Sequence, residues 1–302
     1  MDRHPKINTS TMGGNSSSDS CIVDVDVPDV LLMVAGTAAS LTNGLLLLVL
    51  YNERKKFFKT RVSYLIANLA LADCFTGLML VLVMILTMVD KPKALNCYEF
   101  LFLCGSIQSS FYTLILMSVD RLIVAVMPMT WSNILTKRNT IISIVFAWGF
   151  AIFGSIMMRY HTRNHRFAFL LFLEITAVLF IFIHVVIFHV LRRQRRDLSQ
   201  SGSSAEIATV MDLTLQVRHA QITSIVLTLM MVLIITYTPY VVYSNIILVR
   251  EGTDMGIRIC NNGFLYTQAL SYLNYSANPI VYAWRLRVYR KALFSLILKM
   301  SI

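Results

Sequence analysis

Seven long apolar runs constrain this chain more than any other feature. They fall at residues 30–50, 62–89, 97–127, 140–158, 167–191, 222–249 and 261–284. A bilayer core takes about 20 apolar residues per spanning helix, so each run is long enough to cross. Backbone groups in hydrocarbon have only one another to bond, which makes helices the natural spanning form. The chain has 302 residues, of which 56% are hydrophobic and 14% charged. Soluble domains carry about 25% charged residues, so much of the apolar surface here must face lipid. The expected fold is all-α, a seven-transmembrane helix bundle closed by a short amphipathic C-terminal helix. Residues 1–29 would be an extracellular tail, 30–284 the bundle, and 285–302 a cytoplasmic amphipathic helix and tail.

The net charge of +11 could suggest nucleic acid as a partner, but the placement of the charge argues against it. Arg54, Lys55, Lys56, Lys59 and Arg61 follow the first run, Lys137 and Arg138 the third, and Arg192, Arg193, Arg195 and Arg196 the fifth. Arg285, Arg287, Arg290 and Lys291 follow the seventh. The segments between are mixed in sign. Basic loops stay inside, which puts the C-terminus in the cytoplasm and the N-terminus outside a multi-pass plasma-membrane protein. Residues 1–28 have no apolar stretch with a cleavage site, so the first run is expected to act as an uncleaved anchor. The sequons at Asn8 and Asn15 then become glycan acceptors on an outer tail. One outer loop, residues 159–166, is itself basic. Its side chains could snorkel to lipid phosphates or steer an anionic ligand inward. The serine-bearing stretch 197–216 reads as a flexible cytoplasmic loop, with its ends available to extend the neighbouring helices. Residues 285–299 alternate basic and apolar, as suits a helix lying on the inner leaflet.

Polar groups inside spans are costly, so each carries a functional hypothesis. Asp73 lies among small alanines in the second run. Asp120-Arg121 ends the third, where the two charges can pair and Arg121 can reach toward water. Glu174 lies in the fifth. The seventh carries Asn274, Asn278 and Pro279, and a proline removes a backbone donor and loosens the helix. Asn43 and Asn68 read as interhelical hydrogen-bonding residues.

These residues carry a resemblance. From about residue 30 to 299 the chain resembles the rhodopsin-like (class A) G-protein-coupled receptors. The carrying positions are Asn43-Gly44, Asn68 and Asp73, Asp120-Arg121-Leu122, Trp148, Pro239, and Asn278-Pro279-Ile280-Val281-Tyr282. The resemblance implies a receptor that passes an extracellular signal to a heterotrimeric G protein, with an arrestin as a further partner and membrane lipids around it. It implies that Asp73, Ser110, Asn274 and Asn278 hold an allosteric sodium ion, the one candidate cofactor. Arg121, paired with Asp120, would meet the G protein. Pro239 would hinge the sixth span, with Tyr237 at the usual tryptophan position, while Tyr282 would partner Arg121 near the core.

Departures narrow the subfamily. Residues 158–167 contain no cysteine, so the usual bridge from the third span to the second outer loop cannot form. The fifth span lacks its usual proline. Both features, with the short outer loop, resemble the melanocortin, cannabinoid and lysophospholipid receptor branch. That likeness implies a Cys21–Cys260 disulfide. Cys97–Cys260 stands as an alternative, because all three cysteines would lie outside. The acid that would restrain Arg121 from the foot of the sixth span is absent, with Arg218 and His219 there instead, so appreciable basal activity is expected.

A retinal Schiff base is excluded, because residues 261–284 contain no lysine. An amine anchor is missing too, since Leu103 stands at the aspartate position. The expected ligand pocket is apolar, lined by Leu103, Ile107, Phe111, Tyr237, Tyr240 and Tyr272, which suits a lipid, a small neutral molecule or a peptide. Glu174 and Gln108 could pair with each other or touch ligand. No nucleophile, base and metal cluster argues for an enzyme. A transporter predicts internal repeats, which are not evident. A ligand-less membrane scaffold, or a dimer partner of other receptors, is the competing reading.

Overall fold

A computed structural model of the chain describes residues 27–90, 97–127, 130–160, 165–200, 208–251 and 262–300. Among these residues the secondary structure is ten helices: α1 (Val27–Asn52), α2 (Arg54–Phe57), α3 (Arg61–Asp90), α4 (Cys97–Val126) and α5 (Trp131–Ile134), then α6 (Lys137–Tyr160), α7 (His165–Gln200), α8 (Ala208–Glu251), α9 (Asn262–Arg285) and α10 (Arg287–Met300). The seven long apolar runs correspond to α1, α3, α4, α6, α7, α8 and α9. The amphipathic C-terminal helix is α10.

Six of the seven are both long and apolar enough to cross a membrane by composition. The exception is α9, whose Gln268, Asn274, Asn278 and several serines and tyrosines dilute its hydropathy. It lies in the bundle nonetheless, packed against α1 and α8 and touching α3. The central helix is α4, which touches α3, α6, α7 and α8, while α1 and α9 close the ring. Buried contacts such as Leu69, Phe111, Leu114, Phe180 and Leu229 hold it together. Val145, Phe146, Phe150 and Phe153 on α6 and Val178 and Phe182 on α7 are exposed, as a surface facing lipid should be.

Hydroxyls along the helices fold back onto their own backbone. Thr37 donates to the Met33 carbonyl, Thr76 to Ala72, Ser155 to Ala151 and Thr236 to Val232, all four residues back. This satisfies polar groups where no water is at hand. Small residues set the closest approach: a Cβ on Gly77 would lie 2.6 Å from the Gly36 carbonyl oxygen and from Ser40 Oγ. The backbones of α1 and α3 meet there only because Gly77 has no side chain.

Helical structure takes up both ends of the stretch 197–216. Residues 197–200 still belong to α7 and α8 starts at Ala208, so much of the stretch expected to be a flexible loop is helical. Two short helices, α2 and α5, were not foreseen. The outer segment 161–164, the glycan acceptors Asn8 and Asn15, Cys21, Cys260 and the side chain of Cys97 lie outside the described residues.

Candidate functional site

Polar side chains gather at three levels of the bundle. In the middle, Asp73 of α3 is fully buried and accepts two hydrogen bonds. Ser110 Oγ of α4 donates to Oδ1 at 2.6 Å and Asn278 Nδ2 of α9 donates to Oδ2 at 2.5 Å. Three helices therefore meet on one carboxylate. Asn274 is one turn before Asn278, 1% exposed, and neither its Oδ1 nor its Nδ2 has a partner. Buried polar atoms are normally paired. The carboxylate, the Ser110 hydroxyl and the idle Asn274 carbonyl are hard oxygen donors, a set that fits a sodium ion.

Beside them, Pro279 gives α9 its special feature. It has no N–H, so the carbonyl of Tyr275, four residues earlier, has no donor within its own helix. Asn43 Nδ2 of α1 donates to that carbonyl at 2.8 Å. Asn68 donates to Thr113 Oγ1 at 2.7 Å and accepts from Trp148 Nε1 at 2.9 Å, joining α3, α4 and α6. Both asparagines thus make interhelical bonds.

At the C-terminal end of α4, Asp120 and Arg121 are both buried, at 4% and 1% exposure. Arg121 does not reach outward to water: its Nε and Nη2 turn back to Asp120 Oδ2. The other carboxylate oxygen is taken by a residue the sequence reading had treated only as an orientation charge. Arg61 Nε of α3 donates to Asp120 Oδ1 at 2.7 Å, and its guanidinium lies 4.6 Å from the Trp131 ring centre. Two arginines share one aspartate, and Arg61 Nη2 and Arg121 Nη1 are left buried without partners. Gln221 Nε2 of α8 donates to the Arg285 carbonyl at 2.7 Å, tying α8 to the end of α9. Tyr282 is 1% exposed, with its hydroxyl unpartnered.

At the third level, Tyr237 of α8 and Tyr275 of α9 share a hydrogen bond of 2.6 Å between hydroxyls. The Phe111 ring meets the Tyr237 ring edge-on at 5.1 Å and Phe172 at 5.9 Å. Ile107 and Tyr272 belong to the same buried cluster as this aromatic layer, and Leu103 packs against it. The Tyr240 ring is 5.5 Å from that of Phe264. Glu174 and Gln108 are not partners. Asn245 of α8 donates to Glu174 at 2.6 Å, and Gln108 donates to Ser155 of α6 at 3.0 Å. Arg61, Trp131, Tyr275, Phe172 and Asn245 escaped the sequence reading. Only Arg61 left a signal there, as a charge directly adjoining an apolar run.

Comparison with known proteins agrees with this geometry. Residues 42–169 match the family described as the seven-transmembrane receptor (rhodopsin family). The chain is similar to the human protein named Probable G-protein coupled receptor 21, at 23% identity over 327 aligned residues, covering 94% of this chain and 90% of the relative. It is also similar to Melanopsin-B of Xenopus laevis, at 28% identity over 149 residues, covering 45% of this chain and 27% of that protein. These likenesses, with the seven-helix bundle, support a multi-pass membrane receptor of the G-protein-coupled type.

Proposed function

We propose that the chain carries a signal from an extracellular lipid, small apolar molecule or peptide to a heterotrimeric G protein, through release of Arg121 from Asp120. The observation that carries this reading is the burial of Arg121 at 1% exposure against one shared carboxylate, with a guanidinium nitrogen left over. A buried, under-paired cation at a helix end is costly to keep and is suited to a partner that supplies an acceptor. The N-terminus is outside and the C-terminus cytoplasmic on this reading, which agrees with the basic residues around α2 and toward the end of α7.

Signal passes inward along one line of residues. Ligand contacts Leu103, Ile107, Glu174, Tyr240 and Tyr272. Tyr237 shifts with α8, which bends at Pro239, and the kink at Pro279 lets Asn278 and Tyr282 rearrange. Sodium bound by Asp73, Ser110, Asn274 and Asn278 favours the resting arrangement. The apolar lining, the short outer loop and the absence of a lysine in α9 support a lipid-type ligand, and they support kinship with the melanocortin, cannabinoid and lysophospholipid branch. An arrestin competes for the same cytoplasmic face.

A panel of G-protein classes, read by second messenger in cells expressing wild type or Arg121→Ala at equal surface density, tests the reading. Signal from wild type that disappears in the variant supports it. Equal signals from variant, wild type and mock-transfected cells would instead favour a membrane scaffold.

A further inference from the structure

The end of α1, the short α2 and the start of α3 border an open apolar groove of about 540 Å3, lined by Leu47, Leu50, Tyr51, Arg54, Phe58 and Ala67. Its volume lies within the roughly 300–1,000 Å3 of ordinary ligand pockets. Leu50, at 3% exposure, is anchored in the core, so the wall cannot easily collapse inward. Tyr51 on the rim is 65% exposed, so the groove opens on the lipid-facing side of the bundle.

Charge decides what can occupy it. Arg54 lies 5.4 Å from the Tyr51 ring centre rather than on a carboxylate. The nearby acid, Glu53, is taken by Lys56 at 2.7 Å. Among the described residues no ion pair involves Arg54, Lys55 or Lys59, and all three are exposed beside the mouth. An apolar slot at membrane depth with spare cations where it meets the headgroup layer matches a lipid whose tail is hydrocarbon and whose head is negative. Basic side chains at an anionic surface contribute about 1 kcal/mol each.

We propose that this groove binds one anionic phospholipid, with an acyl chain between α1 and α3 against Ala67 and the headgroup on Arg54, Lys55 and Lys59. The proposal needs only that the helices cross a bilayer, and it stands apart from the role given to Arg121.

Native mass spectrometry of the full-length receptor released from phosphatidylcholine nanodiscs containing phosphatidylserine reads the occupancy directly. Wild type should retain one phosphatidylserine in preference to phosphatidylcholine. Arg54→Gln should lower that occupancy about fivefold, the worth of one interfacial cation. Ala67→Phe fills the groove without touching a charge and should lower it similarly. Leu47→Trp serves the same end if Ala67→Phe does not fold. Lys291→Gln, an exposed cation on α10, should leave occupancy unchanged. Equal retention of the two lipids overturns the proposal. So does an equal loss with Arg54→Gln and Lys291→Gln, which would mean diffuse attraction, or occupancy that ignores both groove-filling variants.

Discussion

Arg61 Nε and Asp120 Oδ1 are 2.7 Å apart, joining the start of α3 to the end of α4 across 59 residues of sequence. By occupying one carboxylate oxygen, Arg61 confines Arg121 to the other and places a second cation beside it. A hydrogen bond to a charged group contributes about 1.5–3 kcal/mol, so this competition weakens the restraint on Arg121 appreciably. Arg61→Gln should free Oδ1 for a two-pronged Arg121–Asp120 pair and weaken engagement of G protein roughly tenfold. In an Asp120→Asn background the same change should add nothing, because Arg61 acts through Asp120. Binding of nucleotide-free G protein to the purified receptor measures both.

The Asp73 carboxylate with Ser110 and Asn274 predicts sodium-linked stability. Purified receptor should melt at a higher temperature in sodium chloride than in choline chloride of equal ionic strength. At tenfold the dissociation constant the gain is about 1.4 kcal/mol. Asp73→Asn removes the charge an ion needs, and its melting temperature should be the same in the two salts.

The hydroxyl pair of Tyr237 and Tyr275 predicts an asymmetry. Changing either one to phenylalanine leaves a buried hydroxyl without a partner, which costs about 1–3 kcal/mol. Changing both removes donor and acceptor alike, so the double variant should recover most of the loss in thermal stability. Additive losses would mean that the two hydroxyls are satisfied separately.

Asn43 matters because of Pro279. Asn43→Leu should destabilise the receptor by about 1–3 kcal/mol, since the Tyr275 carbonyl then has no donor. Pro279→Ala restores the backbone N–H four residues on. In that background Asn43→Leu should cost markedly less, which a thermal double-mutant cycle would reveal.

Gly77 and Gly44 predict opposite outcomes for the same substitution. A Cβ on Gly77 meets the Gly36 carbonyl oxygen at 2.6 Å, whereas one on Gly44 meets nothing within 4 Å. Gly77→Ala should push α1 from α3 and cost about 1–3 kcal/mol. Gly44→Ala should be neutral or slightly stabilising, by up to about 1 kcal/mol, because alanine favours helix. Melting temperature and surface expression of the two variants make the comparison.

The spans were legible because hydropathy is a local property: twenty apolar residues in a row announce a helix whatever surrounds them. The ends were less so. Residues 197–200 and 208–216 are polar enough to read as loop, yet they continue α7 and α8 beyond the apolar stretches. Propensity alone left α2 and α5 invisible, since four-residue helices carry almost no periodic signal. Among the site residues, Asp73, Asp120 and Arg121 stood out because charge within an apolar run is conspicuous. Tyr275 and Phe172 did not, because an aromatic residue in such a run resembles any other core side chain.

The sequence by itself determined that the chain crosses a membrane and which residues had to find polar partners there. Those are questions of solvation, answered residue by residue. Only the tertiary structure decided who the partners are. It gave Asp120 to Arg61 as well as Arg121, Glu174 to Asn245 rather than Gln108, and the carbonyl freed by Pro279 to Asn43. A hydrogen bond across 59, 71 or 232 residues depends on which helix faces which, and that is set by packing of the whole bundle.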